Sequence, residues 1–190
     1  MPVSTPYSTP ALWGPNVASG DAVDFEAGVS GWAAGTQATS VASSTDQARI
    51  GTHSLKITKN STASGYLAVT ASDFPVAAST AYYLVAWMYT AQASAILKFD
   101  FDYYTSGSVY ISSLSAAVPN TSLVANTWTP MIGGPFTTPA TTAFIRPIPV
   151  MISGLSNTNT VYMDDLYMGR QLVTTDGMVT YQAVNRASTR

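Results

Sequence analysis

The chain has 190 residues, of which 46% are hydrophobic and 9% are charged, and its formal net charge is −2 at pH 7. This charge balance provides no basic surface, so we expect no nucleic-acid partner. There is no cysteine and a single histidine, His53, which excludes disulfides and thiolate metal sites and argues against a Ser-His-Asp triad. Apolar runs stay well short of the roughly 20 residues that a membrane span requires, so we expect no membrane partner.

The first 20 residues are predicted to form an extended arm. Prolines at positions 2, 6, 10 and 15 disfavour a helix. On such an arm, Tyr7 and Trp13 are candidate assembly contacts that anchor the chain in a neighbouring subunit. The segment also lacks the basic and apolar blocks of a secretory signal. We therefore expect a protein that is made in the cytosol and leaves it only as part of an assembled, oligomeric particle.

Residues 21–169 are predicted to form an all-β sandwich. Helical periodicity is nearly absent, and short runs rich in Val, Ile, Tyr, Phe and Thr alternate with Gly, Pro, Asn, Asp and Ser clusters about every dozen residues. The predicted strands lie near 22–26, 36–42, 53–59, 65–71, 80–90, 95–104, 107–114, 127–132, 142–152 and 160–168.

Turn residues and prolines add three local predictions. Ser106-Gly107 lies between two β-rich runs and predicts a hairpin loop. Pro147 and Pro149 are two residues apart, so both missing N–H groups face the same neighbour, which predicts an edge strand or a bulge. Residues 170–190 are predicted to be a C-terminal extension, with a small hairpin over 172–181 about Asp176-Gly177.

The aromatic-rich run AYYLVAWMYT, residues 81–90, and the run that follows it contain the candidate binding residues. Alternation predicts two core faces, formed by Tyr82, Leu84, Ala86 and Met88 in the first run and by Leu97, Phe99, Phe101 and Tyr103 in the second. The opposite faces contain the candidate carbohydrate-binding residues Tyr83, Trp87, Tyr89, Lys98, Asp100, Asp102 and Tyr104.

If these two strands pair, aromatic rings lie beside charged groups. A sugar ring packs its C–H patches on an aromatic face and gives its hydroxyls to polar partners. The alternative is a half-buried second layer in which Lys98 and Asp100 form an exposed ion pair of little energetic weight. Asp100 and Asp102 also permit a glycosidase acid–base pair, but no other feature suggests catalysis, so we expect no enzyme activity.

Five motifs occur in an order that resembles the jelly-roll carbohydrate-binding modules of families four, nine and twenty-two. The resemblance covers roughly residues 22–169 and implies a jelly-roll β-sandwich; fold alone does not dictate function. The motifs are VDFEAGVSGW (23–32), ARIGTHSLKIT (48–58), AYYLVAWMYT (81–90), NTWTPMIGGPFTTPATTAFIRPIPVMI (126–152) and TVYMDDLYMG (160–169).

The resemblance also implies a structural calcium ion that ties the first strand to the last. Glu26 and Asp164 match the ligand positions, Asp165 is a substitute, and backbone carbonyls near residues 54–56 complete the shell. Without an ion, Asp164 needs another partner, because it is predicted to share a core-facing side with Leu166 and Met168. The alternative is an Asp that caps a turn or faces solvent.

Together these patterns predict a non-catalytic, carbohydrate-binding-module-like virion accessory protein, a decoration of a phage tail or capsid that binds a host cell-surface glycan. Modules of the resembled type occur as accessory domains on tailed-phage virions, and the low charge and the arm suit that setting. The alternative is a purely structural subunit of the assembly that binds no glycan. The expected partners are a polysaccharide and other virion subunits, and the expected location is the virion.

Overall fold

The computed structural model describes residues 14–170. Within this part of the chain there are twelve strands, one short 3-10 turn at Gly20–Ala22 and no α-helix. No helix in the described residues is long and apolar enough to cross a membrane. The strands are β1 (Trp32–Ala34), β2 (Ala38–Ser44), β3 (Ser54–Lys59), β4 (Gly65–Tyr66), β5 (Ala68–Thr70), β6 (Phe74–Pro75), β7 (Ala81–Tyr89), β8 (Ile96–Tyr104), β9 (Tyr110–Ser122), β10 (Thr129–Thr137), β11 (Phe144–Ser153) and β12 (Thr160–Arg170).

Two antiparallel sheets form a jelly-roll β-sandwich. We call the sheet with the order β10-β7-β12-β3-β2 sheet I and the sheet with the order β4-β11-β8-β9 sheet II. β6 adds a second short pairing to β11, and β1 pairs with β5 in a separate two-stranded ribbon. The fold class predicted from the alternating pattern is confirmed.

The core lies between the two sheets and is lined by alternate residues of β7 and β8. On β7, Leu84, Ala86 and Met88 are each 0% exposed, and on β8, Phe99 and Phe101 are also 0% exposed. Phe101 packs edge-on against Phe136 of β10, with ring centroids 4.6 Å apart. Period-two alternation therefore identified the inward faces of both strands correctly.

β7 and β8 do not pair with each other. β7 lies between β10 and β12 in sheet I, whereas β8 lies between β11 and β9 in sheet II. The six-residue connection from Thr90 to Ala95 crosses from one sheet to the other instead of closing a hairpin. The expectation of one continuous face built from both strands is therefore wrong, because their polar faces lie on opposite sides of the sandwich.

Pro147 and Pro149 explain why sheet II is interrupted beside β11. The Leu67 N–H donates to the Pro149 carbonyl at 2.9 Å. Because the N–H and carbonyl of one residue point to the same side of an antiparallel strand, the position where Pro149 lacks an N–H also faces Leu67. Only two-residue strands pair on that side, β4 at one end and β6 at the other. β5 lies between them in sequence, leaves the sheet and pairs with β1. β11 is thus not an outermost strand, but its proline side lacks a continuous partner.

Several predicted boundaries need correction. Residues 22–26 form no strand, because Phe25 has a positive φ of 58° that is incompatible with an extended chain. The predicted strand over 65–71 is divided into β4 and β5, β9 continues to Ser122, and β1 and β6 were missed. The hairpin at Ser106-Gly107 is confirmed by the Thr105 N–H to Val109 carbonyl bond of 2.9 Å. Tyr7, Trp13 and the hairpin over 172–181 lie outside the described residues.

Candidate functional site

The outer face of sheet I displays the aromatic residues of β7, but the Trp87 ring is already covered. The Arg49 guanidinium carbon lies 3.7 Å from the centroid of the Trp87 ring. Arg49 is held there by Asp165, whose carboxylate oxygen is 2.6 Å from its Nη1. A ligand that stacks on this face of Trp87 must displace an ion-paired arginine. The role of Trp87 in sugar binding stays a prediction that this geometry does not favour.

Tyr83 and Tyr89 share the outer face with Trp87. Tyr89 packs against Trp128 and Tyr162, with ring centroids 5.6 and 5.9 Å away, and its hydroxyl donates to Asn126 at 3.4 Å. Tyr83 lies in register with Gly169 of β12. Tyr89 therefore belongs to an aromatic cluster, which fits a structural role on this face.

On the outer face of sheet II, Lys98 and Asp100 form a mostly buried ion pair. Lys98 Nζ lies 2.9 Å from Asp100 Oδ1, and the two side chains are only 16% and 13% exposed. Asp100 also accepts the Ala116 N–H at 2.7 Å, and Lys98 donates to Ser115 at 2.8 Å. Both side chains are thus bonded to each other and to the bulged part of β9, and their low exposure makes them poor candidates for a binding face.

Asp102 and Tyr104 lie farther along β8 and line a groove. Its floor is formed by outward-facing residues of β8 and β11, and its wall by the β1–β5 ribbon that Pro147 and Pro149 exclude from the sheet. The groove has a volume of about 320 Å³. The residues that line this groove are Gly31, Ala33, Val69, Thr70, Ala71, Asp102, Tyr104, Arg146 and Ile148.

Arg146 lines the groove and was missed in the sequence. It is directly opposite Asp102 in the β11–β8 register. Its guanidinium lies 4.3 Å from the Tyr104 ring centroid, and its Nε donates to Asp73 at 2.8 Å. Burial acts to lower the pKa of Arg146, but Asp73 and, to a lesser extent, Tyr104 together outweigh burial and the pKa is raised. Arg146 is therefore a fixed cation in the lining of the groove, with further N–H donors besides Nε.

Two further tyrosines extend the polar face beyond the groove. Tyr110 of β9 packs edge-on to Tyr104, with centroids 5.9 Å apart, and the residue is 54% exposed. Its hydroxyl is 2.8 Å from Ser113, whose own hydroxyl donates to Asp102 at 2.5 Å. Tyr66 of β4, which is 41% exposed, pairs with Val150 at the other end of the face. Exposed rings thus lie at both ends.

The predicted calcium ligands lie apart from the groove, at the loop before β3. Asp164 is 1% exposed and accepts three backbone N–H groups, from Arg49 at 2.8 Å, Ile50 at 3.1 Å and Asp165 at 2.7 Å. Burial raises the pKa of Asp164, and the three N–H bonds only partly offset that effect. A bulge at Asp165, where φ is 49°, puts Asp164 on the side of Trp87 and not on that of Leu166. The predicted orientation is therefore wrong.

Glu26 is bound by the same loop. Its carboxylate accepts the N–H groups of Thr52 at 3.0 Å and His53 at 3.1 Å, and the Thr52 hydroxyl at 2.9 Å. Burial acts to raise the pKa of Glu26, but these donors outweigh it and the pKa is lowered.

These surroundings do not fit a calcium ion, because the atoms around Glu26 and Asp164 are N–H and O–H donors, whereas calcium requires oxygen acceptors. Among residues 14–170, no three acidic or histidine side chains form a group suited to a metal. The calcium ion implied by the resemblance stays a prediction that this arrangement does not support.

Sequence reasoning missed Arg146, Asp73, Tyr66 and Tyr110. The alternation in FIRPIPVMI places Arg146 on the face opposite to Ile145, so its outward orientation was available from the sequence. Its pairing with Asp102 was not, because nothing local specifies that β11 lies beside β8.

Comparison with known proteins identifies the fold. No family model matches the chain, and no curated protein matches it by sequence. Among solved structures, the chain is similar to the CBM22-1 xylan-binding domain of Paenibacillus barcinonensis Xyn10C, with a TM-score of 0.61 and 14% identity over 85% of this chain and 97% of that one.

Two other structures extend the comparison. The CBM22-1–GH10 modules of Clostridium thermocellum Xyn10B, complexed with xylohexaose, match with a TM-score of 0.60 and 18% identity, over 78% of this chain and 28% of that one. The enzymatically active domain of bacteriophage CBA120 tailspike protein 4 matches with a TM-score of 0.52 and 13% identity, over 82% of this chain and 21% of that one. At these identities the likeness shows the fold, which is that of a carbohydrate-binding module.

Proposed function

We propose that the protein is a non-catalytic glycan-binding module and that its ligand lies in the groove on the outer face of sheet II. The observation that carries the proposal is the position of Arg146, in register with Asp102 and stacked on Tyr104. Fixed donors, a carboxylate acceptor and tyrosine rings on one open face are the groups that sugar hydroxyls and C–H patches require. The xylan-binding neighbours of the same fold support this choice of ligand class.

The charge of the groove favours a neutral glycan. Arg146 is paired with Asp73 and faces Asp102, so one positive charge meets two negative ones. The Lys98–Asp100 pair is internally balanced. A polyanionic glycan would bring further negative charge against Asp102, which is unfavourable, whereas neutral hydroxyls can both accept from Arg146 and donate to Asp102.

The length of the face suits a chain of several sugar units. In the sheet register, Lys98 lies beside Val150, which pairs with Tyr66, and Tyr104 lies beside Tyr110. Lys98 and Tyr104 are six residues apart along β8. At about 3.3 Å per residue this distance is ~20 Å. We therefore expect a polysaccharide or oligosaccharide rather than a monosaccharide, with Tyr66 and Tyr110 at the ends of the site.

The state of the carboxylates supports a binding role without catalysis. Asp100 is held by Lys98 and the Ala116 N–H, and Asp102 accepts from Ser113. A glycosidase pair needs one carboxyl group that stays protonated and a second that is free to react, and Asp100 is buried in its ion pair instead.

A glycan array with neutral and anionic glycans tests the proposal. We expect binding to neutral glycans, and we expect Tyr110→Ala to weaken it by about five- to thirtyfold, because an exposed aromatic contact contributes about 1–2 kcal/mol. Tyr89→Ala removes a tyrosine from the outer face of sheet I and is the matched control. Equal losses in both variants, or no binding to any glycan, would contradict the proposal.

We also propose a virion as the setting of this module, and the phage tailspike domain of similar fold favours it. In that setting the arm would dock the module through Tyr7 and Trp13. Deletion of residues 1–13 should abolish incorporation into particles while the sandwich stays folded, as judged by an unchanged melting temperature. Incorporation of the protein that lacks residues 1–13 would contradict this setting. A virion protein that incorporates normally but binds no glycan would be the purely structural alternative.

A further inference from the structure

One edge of the sandwich is built from uncharged residues alone. It consists of β9, an edge strand of sheet II, of β10, an edge strand of sheet I, and of the loop 123–128 that joins them. No aspartate, glutamate, lysine, arginine or histidine occurs in the sequence between Asp102 and Arg146, a range that contains both strands and the loop. We call this surface the uncharged edge.

Exposed apolar side chains are concentrated in the same part of the chain. Six large hydrophobic residues among residues 14–170 are exposed, and four of them lie in the segment without charge. One of the four is Tyr110, which belongs to the proposed glycan site. On the uncharged edge, Val124 of the loop is 60% exposed and Ile132 of β10 is 53% exposed. Apolar surface that is depleted of charge is typical of the centre of a protein–protein interface.

The two ends of the uncharged edge differ in shape. β9 and β10 touch where an added Cβ at Gly133 would overlap the Ala117 carbonyl. Beyond this point the register of β10 shifts before Phe136, and the strands separate around a cavity of about 680 Å³. The loop 123–128 lies at the opposite end, because β9 runs into it and β10 runs out of it. The edge therefore has the exposed Val124 at one end and a cavity at the other.

The lining of this cavity favours an apolar occupant. Among residues 14–170, it contains Leu114, Phe136, three prolines and no charged side chain. Two hydroxyls of the lining are not available to a ligand, because that of Ser113 donates to Asp102 and that of Tyr103 is fully buried. An apolar side chain that enters the cavity removes apolar surface from water and leaves no charge without a partner.

We propose that the uncharged edge is the contact surface of a homodimer, in which a second copy of the chain packs against the first about a two-fold axis. In such a contact both copies use the same patch. An axis that crosses the strands near the middle of the edge reverses the strand direction, so it brings Val124 of each copy to the cavity of the other. The prolines at 119, 130 and 135 interrupt backbone pairing along both strands, so the copies meet through side chains.

The charge of the chain favours a second copy as the occupant. Each chain has a net charge of −2, and like charges that face each other across an interface oppose association. Two uncharged edges meet without this repulsion. The charged side chains nearest to β9 are Lys98 and Asp100, which are already paired with each other at 2.9 Å. A partner with a charged surface would lose hydration here and find no counter-charge.

The size of the uncharged edge predicts a weak dimer. β10 has nine residues and so extends for ~30 Å. Two sheets about 10 Å apart, with their backbones and side chains, give the edge a width of ~20 Å. Each copy then buries ~600 Å², and the pair buries ~1,200 Å², which is the lower end of the range for specific interfaces. We therefore expect a dissociation constant in the micromolar range.

The test is sedimentation velocity on the full chain from about 1 to 300 µM, a range that brackets a micromolar dissociation constant. We expect an equilibrium between monomer and dimer. Val124→Asp and Ile132→Asp each place a carboxylate on the uncharged edge and should raise the dissociation constant by more than about tenfold. Ile50→Asp is the matched control. Ile50 is 52% exposed, but its N–H is bonded to Asp164 of β12, which β7 separates from β10.

Three results would overturn the proposal: a monomer at every concentration, a dimer that both edge variants retain, or an equal loss of the dimer in Ile50→Asp. Two substituted positions keep the test decisive if one variant fails to fold. The dimer does not rest on glycan binding, because neither Val124 nor Ile132 lines the groove. Both edge variants should therefore bind glycan as the wild type does, so failure of the dimer and failure of the glycan site are distinguishable.

Discussion

Replacement of Asp164 by Asn tests whether a buried carboxylate organises the loop before β3. The Asp164 carboxylate is 1% exposed and accepts the N–H groups of Arg49 and Ile50 on Oδ2 and that of Asp165 on Oδ1. In the Asn variant one of these oxygens becomes an NH₂ group, which confronts at least one backbone N–H with another donor.

The magnitude follows from these contacts. One buried N–H without an acceptor costs about 1–3 kcal/mol, and the remaining bonds lose part of their strength with the charge. A neutral amide costs less to bury than a carboxylate, and this difference offsets some of the loss. We expect Asp164→Asn to lower the free energy of unfolding by about 2–3 kcal/mol, and the melting temperature by about 4–12 °C for a domain of this size.

The assay is thermal and urea unfolding at pH 7, with Asp165→Asn as the matched control. Asp165 makes a partly exposed ion pair with Arg49, and such pairs contribute about 0–1 kcal/mol. A loss in Asp164→Asn of less than about 1 kcal/mol, or a loss no larger than that of the control, would refute the reasoning.

The pH dependence gives an independent test of the same group. Because the folded pKa of Asp164 is raised above its ordinary value of 3.8, the folded state binds more protons between the two values. Its contribution to stability is therefore present below pH 3.8 and falls as the pH rises through the raised pKa. The advantage of the wild type over Asp164→Asn should be largest at the acidic end of this window. An advantage that grows as the pH rises would contradict the assignment.

Three further predictions concern the same loop and its neighbour Glu26. Gly51 has φ +73° and an added Cβ would overlap the Glu26 carboxylate, whereas Gly20, at φ +63°, has open space around it. Gly51→Ala should therefore lower the melting temperature more than Gly20→Ala does. Equal effects of the two substitutions would contradict this packing. Because the folded pKa of Glu26 lies below its ordinary value of 4.5, the stabilisation from Glu26 is present above pH 4.5 and lost as the pH falls through the folded pKa. In a series of melting curves, the melting temperature of Glu26→Gln should therefore fall less steeply with decreasing pH than that of the wild type. An unchanged dependence of melting temperature on pH would count against this role of Glu26. Since the carboxylates of Glu26 and Asp164 accept N–H donors, millimolar calcium and EDTA should give the same melting temperature, and a higher one in calcium would show that an ion binds there.

The inward faces of the long strands could be predicted from the sequence alone. Leu84, Ala86 and Met88 alternate with residues of the outer face, and Phe99 and Phe101 do the same on the next strand. Alternation of this kind needs only the geometry of a strand with one buried face. The hairpin at Ser106-Gly107 was equally local, because turn residues and two flanking β-rich runs specify it.

The pairing of those strands could not be predicted, and the binding site depends on it. A six-residue connection between β7 and β8 is compatible with a hairpin and with a crossing between sheets, so local pattern does not decide between them. For the same reason, local pattern could not show that Trp87 and Asp102 lie in different sheets. It also could not show that Arg146 lies opposite Asp102 and against the Tyr104 ring.

Single-residue irregularities were a second source of error. One extra residue at the Asp165 bulge reverses the alternation of β12, so Asp164 faces the Arg49 loop rather than the core. The prolines at 147 and 149 did predict that sheet pairing is interrupted beside this strand. No local pattern predicts that β5 would then pair with β1 and form the wall of a groove.

The most direct test of the glycan-binding account is to locate the ligand on the protein. Backbone amide shifts should be recorded while the full chain is titrated with its strongest neutral ligand from the glycan array, or with xylohexaose as a first probe. We predict that the largest shifts fall on the groove, at Val69, Asp102, Tyr104 and Arg146. Shifts confined to the outer face of sheet I, around Tyr83 and Trp87, would contradict it.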